Sequence, residues 1–309
     1  MPYEVPTVSA DLVNGAFFDK VFNAGQVKQA EEVASMYIRQ RLYEDGVLRR
    51  LFEYRVVTPD ELDPDVETQD QPSIVCEIEP DASKATFVPF KGTGERRYYT
   101  GKRFRVPFGK IEAERITKSK FELMTIRMPI QQWLQENQVK AVQHEEDKLF
   151  IDTINEICED NPDQQNITFD LSSGTFKDAI TAGKQALIRM DLPDTGKILM
   201  HVNTYIESLK LKTEDIGFKP QEDRFNRGVT GEDTFLGYPV VKTIKSSIIP
   251  ENVIYFFAPQ EYFCKFFLLQ DATLFLKTEA DMVTFHTYEA PGFAIGNTKG
   301  VVKMTLNAG

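Results

Sequence analysis

Apolar positions at helical spacing dominate the centre of the chain. From residue 130 to 159 good helix formers run unbroken, with Trp133, Leu134, Ala141, Val142, Leu149, Phe150 and Ile157 as the apolar set. Pro129 stands where a first helical turn tolerates a missing amide donor, and Asn161 with Pro162 ends the run. A helix of that length is on the order of 45 Å long. Residues 143–148 are polar on every side, which predicts a supporting beam reached at its middle by water or another chain, not a fully buried core helix.

Period-two patterning flanks this helix. Residues 84–90, with Phe87 and Val88, read as a short strand punctuated by Gly92 and Gly94. Tyr98, Tyr99, Phe104, Val106 and Phe108 then roughly alternate with Arg and Lys about a turn at Thr100 and Gly101, predicting a charged hairpin. A two-stranded ribbon with so few apolar residues is marginal in water and needs a surface to lie on. Residues 121–128 read as a further strand.

The downstream half reads as mixed α and β. Thr175 caps a helix over 176–190, with Ala179, Ile180, Ala182, Ala186 and Leu187 as its apolar side. A turn at 191–196, a strand at 197–202 and a short helix from Asn203 to about 211 follow. A charged, glycine-containing loop occupies 212–233. Strands are expected at 235–243, 253–258, 273–277, 282–288 and 299–306, with a helical turn near Pro259. No repeat or low-complexity linker divides the chain, which predicts an interwoven two-lobed α+β unit.

Composition narrows the function classes. At 309 residues and 41% hydrophobic, the chain can bury a real core. Its apolar runs fall well short of the roughly 20 residues that span a bilayer, so no membrane is expected as a partner. Residues 1–15 do not read as a signal peptide, and a cytoplasm is the expected place of synthesis. Cys76, Cys158 and Cys264 form no CxxC pair and read as reduced core or surface thiols.

The net charge of −11 argues against a surface that embraces nucleic acid throughout. That average hides two opposed segments. Residues 60–81 hold nine acids (Asp60, Glu61, Asp63, Asp65, Glu67, Asp70, Glu77, Glu79, Asp81) and no Lys or Arg. Residues 91–110 hold seven bases (Lys91, Arg96, Arg97, Lys102, Arg103, Arg105, Lys110) against Glu95 alone. Either the two pair inside one fold, or the basic segment lands on the acidic surface of a neighbouring copy, where opposite potentials steer docking.

Enzyme motifs are not assembled. The KGTGERR stretch lacks the Walker spacing, and His144 beside Glu145, Glu146 and Asp147 lacks the HExxH arrangement and reads as a solvated acidic face. With His144, His201 and His286 as the only histidines and no GxSxG elbow, a carboxylate-dependent hydrolase is a remote alternative. No catalytic residue, metal or cofactor is expected.

The order of N-terminal extension, charged hairpin, spine helix and mixed α/β region resembles the Hong Kong 97-type major capsid fold of tailed bacteriophages. The local stretches that carry the likeness are the hairpin of 85–108 feeding 120–128 and the helix from 130, ILMHVNTYIESL at 198–209, FLGYPVVKT at 235–243, and VIYFFAPQEY at 253–262. The resemblance implies an N-terminal arm (1–75) with an amphipathic helix at 26–43, and an extended loop with its flanking strands (76–120) reaching across a neighbour. It further implies a peripheral domain with the spine helix (121–174), an axial domain (175–270) and a return to the peripheral domain (271–309).

The implied function is a shell subunit that assembles into the pentamers and hexamers of an icosahedral or prolate head, formed in the host cytoplasm and located in the virion. Implied partners are further copies, a portal, a scaffolding protein unless a short cleavage replaces it, a decoration or cement protein, and packaged double-stranded DNA bound without sequence preference. Some relatives join subunits through a Lys–Asn isopeptide bond, for which Lys102 and Asn297 are the candidates here, beside Lys91 and Lys110. An encapsulin-type cargo compartment is the rival within the same fold.

Overall fold

The computed structural model describes residues 46–64, 71–79, 85–94, 96, 98, 101–125, 130–172, 174–192, 195–208, 234–235 and 238–307. The helix expected at 26–43 and the loop expected at 212–233 lie outside them, as do Asp65, Glu67, Asp70 and Arg97. In chain order the elements are α1 (Val47–Leu51), β1 (Tyr54–Val56), β2 (Ser73–Ile78), β3 (Lys102–Pro107), β4 (Ile111–Glu112), β5 (Ile116–Ser119), α2 (Lys120–Thr125) and the spine helix α3 (Ile130–Asp160). They continue as α4 (Pro162–Gln165), β6 (Asn166–Asp170), α5 (Phe176–Arg189), β7 (Lys197–His201), α6 (Val202–Ser208), β8 (Thr234–Phe235) and β9 (Tyr238–Thr243). The last are β10 (Val253–Phe257), α7 (Gln260–Phe263), β11 (Cys264–Glu279), β12 (Met282–Ile295) and β13 (Val301–Asn307).

A six-stranded sheet runs β6-β13-β10-β7-β9-β8, and a second sheet runs β1-β11-β12-β4 with β5 also on β12. In β10 every residue is buried, so both faces need cover. The alternation along it shows which helix supplies each. Tyr255 donates to Asn155 of the spine helix at 3.0 Å, and the Phe257 ring lies 6.2 Å from that of Phe150 on the same helix. Phe256, pointing the other way, presses on α5 so closely that a Cβ at Gly183 would meet its ring at 2.4 Å. Replacing Gly183 with valine is therefore expected to cost about 1–3 kcal/mol by overpacking, read as a lower denaturation midpoint with an unchanged m-value.

Local signals account for the helix ends. Thr175 and Asp178 form a reciprocal capping box at the start of α5. Residues 121–128, expected as a strand, instead hold α2 over their described part. Ser119 Oγ accepts from the Glu122 amide and the Glu122 carboxylate accepts from the Ser119 amide, each at 3.2 Å, so a capping box overrides the β-branched and aromatic composition.

Two sequence boundaries also move. The β11–β12 hairpin extends from Cys264 opposite Ile295 to Glu279 opposite Met282, far longer than the strands expected at 273–277 and 282–288. The division at 270 and 271 falls inside β11, and β13, grouped above with the peripheral region, pairs with β10 and β6 in the middle of the six-stranded sheet. One core cluster serves both sheets. Phe52 anchors it, with ring centroids 5.6 Å from Phe150, 5.4 Å from Phe257 and 5.7 Å from Phe263. All three cysteines are buried and unbridged.

Candidate functional site: the charged ribbon and its root

The basic segment does form one strand of a ribbon, but with a different partner from the one expected. Lys102–Pro107 pairs antiparallel with Ser73–Ile78, from Ser73 opposite Pro107 to Ile78 opposite Lys102. Residues 85–89 are irregular, not a strand, and a turn follows in which the Gly92 amide donates to the Pro89 carbonyl at 2.7 Å. The span between Ile78 and Lys102 is thus the ribbon's far end.

Alternation gives the ribbon two faces. Ile74, Cys76, Val106 and Phe108 gather on one side and pack with Val57, Phe267 and Ala294, a small core that staples the root to the long hairpin. The Phe108 ring lies against Gly292, where a Cβ would meet it at 2.9 Å, so the root needs a residue without a side chain there. Burial holds the Cys76 thiol above its usual pKa.

Charge fills the other face, and part of it is paired within the chain. Arg103 meets Glu77 at 2.8 Å, Arg105 meets Asp63 at 2.9 Å, Lys110 meets Glu112 at 2.8 Å, and Arg55 holds Glu61. Glu112, accepting from Lys110 and Arg115, is held down at a pKa of about 2. The acidic and basic segments therefore pair with each other within the chain through Arg103–Glu77 and Arg105–Asp63, whereas Lys110 and Glu61 are held by Glu112 and Arg55 outside the two segments. Exposed pairs of this kind contribute about 0–1 kcal/mol each. Among the described residues, Lys91, Arg96, Lys102 and Asp60 have no ionic partner, and all four are exposed. With them stand three aromatic rings in open solvent: Phe87 is 98% exposed, Phe90 107% and Tyr98 86%.

A cleft of about 540 Å³ opens beside the ribbon, bounded by the end of β2, by Phe104 and by the residues that lead from α7 into β11. Asn297, a candidate cross-link acceptor, lies on its edge, and its side chain accepts from the Lys299 amide at 3.1 Å, which caps a single 3₁₀ turn. Lys102 sits at the outer end of β3. The histidines are not brought together. His201 accepts from the Asn203 amide, His286 lies 2.6 Å from Glu112, and His144 is on the spine helix.

The middle of the spine helix is the largest departure from expectation. Gln143, Glu146 and Asp147 are buried, not solvated, and α1 is the reason. Arg49, itself buried, reaches Glu289 at 2.7 Å, Asp271 at 3.1 Å and Glu146 at 3.5 Å, while its guanidinium lies 5.0 Å from the Tyr54 ring centroid. Burial alone would lower the Arg49 pKa, but the three carboxylates reverse that and keep it charged. Asp147 accepts from the Leu48 amide at 2.9 Å and the Val47 amide at 3.3 Å, capping α1 from outside, and pairs with Lys245 at 2.8 Å. Burial and the facing Glu289 push the Glu146 carboxyl well up, and burial raises Glu289 too. Three carboxylates around one guanidinium leave an excess of negative charge in a buried site, which favours the protonated form of Glu146.

No protein-family model matches the sequence, and no curated protein matches it. Solved structures do. The chain is similar to a structure from Mycobacterium phage Adephagia (TM-score 0.59, 10% identity, 86% of this chain and 91% of that one). It is also similar to the capsid of the cyanophage P-SCSP1u (TM-score 0.54, 11% identity, 86% and 88%). A third likeness is to a virus-like particle from Pyrococcus furiosus (TM-score 0.51, 16% identity, 87% and 98%). The fold is the α+β fold of Hong Kong 97 type.

Proposed function

We propose that this chain is the major capsid protein of a tailed bacteriophage, assembling into the pentamers and hexamers of a head that encloses double-stranded DNA. The observation that carries the reading is the ribbon. A stapled root, a far end with Phe87 and Phe90 in water, and the exposed cations Lys91, Arg96 and Lys102, without an ionic partner among the described residues, make an arm built to be completed by another copy. The fold, shared with a cyanophage capsid over 86% of this chain, supports it. In this reading the ribbon is the extended loop, the spine helix and the β11–β12 hairpin belong to the peripheral domain, and the six-stranded sheet belongs to the axial domain. A portal and a scaffolding protein are its partners in head assembly, and it performs no catalysis.

A cargo compartment of encapsulin type is the second reading, favoured by the likeness to the virus-like particle from Pyrococcus furiosus. Negative staining of the expressed chain is expected to show round shells of uniform size. Lys91→Glu, Arg96→Glu and Lys102→Glu together are expected to leave a folded chain without shells, since none of the three touches the core. A wild-type chain that stays monomeric under all assembly conditions overturns the shell reading, and protein-filled shells lacking DNA in infected cells select the compartment.

A further inference from the structure

The inward face of the ribbon runs on past the core that staples its root. Cys76 belongs to that core, Ile78 follows it on the same side of β2, and Phe104 stands opposite Cys76 on β3. Beyond Cys76 this face borders the cleft of about 540 Å³, and Ile78 is 36% exposed there. The opposite wall comes from the corner where α7 enters β11, with half-exposed Tyr262 between Glu261 and Lys265. Volumes of roughly 300–1,000 Å³ are those of sites that bury a compact organic ligand.

The charge of the cleft selects among such ligands. Glu77 is held by Arg103 at 2.8 Å. That leaves Glu79 on the ribbon and Glu261 on the corner, both exposed and without an ionic partner among the described residues, against Lys265. Two carboxylates against one ammonium leave one negative charge unanswered. A monovalent cation neutralises that excess, whereas an anion adds to it. The apolar wall beside it favours an occupant whose charge sits on a hydrocarbon body. Among the described residues no three ligating side chains are grouped to hold a metal ion, which leaves an organic ammonium as the cation that fits both features.

We propose that this cleft is a binding site for a small amphiphilic cation, an ammonium group on an aliphatic or aromatic body. The ammonium sits between Glu79 and Glu261, and the body lies on Ile78, Phe104 and Tyr262, whose ring face also attracts the cation. One carboxylate comes from the ribbon and the other from the main body of the fold. The ligand therefore ties the two together and fixes the angle at which the ribbon leaves its root. The site is complete within one chain, so it stands apart from contacts between copies.

Calorimetric titration of the unassembled full chain with submicellar octylammonium at neutral pH tests this. Saturable binding at one site is expected. Octanoate, the same tail under the opposite charge, and methylammonium, the same head without a tail, are each expected to bind weaker by about tenfold or more. Glu79→Gln with Glu261→Gln is expected to weaken octylammonium by about tenfold as well. Glu145→Gln with Glu279→Gln removes the same charge from exposed positions outside the cleft and is expected to leave the affinity unchanged. All four positions are exposed, so both double variants are expected to fold, checked by far-UV dichroism. Saturating octylammonium is expected to slow amide exchange at 76–79 and at 260–265, on both walls. Absence of saturable binding, octanoate or methylammonium binding as tightly as octylammonium, equal weakening by both variants, or protection confined to one wall each overturns the site. None of these outcomes bears on shell formation, which negative staining decides by itself.

Discussion

Replacing Arg49 with methionine is expected to destabilise the chain by about 3–5 kcal/mol, because it removes the cation that, among the described residues, answers Glu146, Glu289 and Asp271 in a buried site. Methionine keeps much of the arginine stem's volume, so the loss reports charge more than packing. Arginine at this site ties three separate pieces of chain together: α1, the spine helix and the β11–β12 hairpin. The control is Arg103→Met on the exposed ribbon, where Arg103 and Glu77 are 73% and 57% exposed and the expected cost is under about 1 kcal/mol. Equal denaturation midpoints for the two variants would show that the buried cluster does not anchor α1. A large effect of Arg49→Met on stability beside a small effect of Lys91→Glu would separate folding from assembly within one segment of the chain.

The elements legible in the sequence were those whose signals are local. The spine helix announces itself through continuous helix formers and a clean stop at Asn161 and Pro162, and α5 through Thr175 and Asp178. The ribbon was only half legible. Alternation along Lys102–Pro107 reveals a strand, but not that its partner is Ser73–Ile78, which lies before the loop instead of within it. The long hairpin was cut short because register shifts around Gln270 and Thr273 break the period-two pattern.

The buried middle of the spine helix had a signal that polarity concealed. Val139, Val142, Phe150, Ile154 and Cys158 are buried at spacings of three or four, and Glu146 falls in the same stripe. Its stripe position, not its charge, foretells its burial. The cation that answers it is supplied by Arg49 in a segment that looked like a loose arm, and no local pattern links residues about a hundred positions apart.

That same glutamate leads to a pH dependence of definite sign. Burial and the facing Glu289 raise the Glu146 pKa, so the folded chain holds a proton that the unfolded chain releases once the pH passes the ordinary glutamate value near 4.5. Stability from this group is therefore complete below that value and is lost as pH rises toward the folded-state pKa. One proton gives a slope of about 1.4 kcal/mol per pH unit. The groups facing it are Arg49, Glu289 and Asp147, with Asp271 beyond the guanidinium and Lys245 beyond Asp147. Acids with lowered pKa, Glu112 at about 2 among them, lose their contribution at lower pH, outside the window from 5 to 8. Glu146→Gln carries a neutral amide at all pH and is expected to flatten the slope between pH 5 and 8. It should match the wild type near pH 5 and exceed its stability at pH 8, by on the order of 2 kcal/mol in urea denaturation. A parallel pH dependence in both chains would mean that Glu146 is ionised in the fold. If the slope vanishes instead, α1 is held to the spine helix by a contact that tightens on acidification, and mild acid strengthens the base from which the N-terminal segment departs.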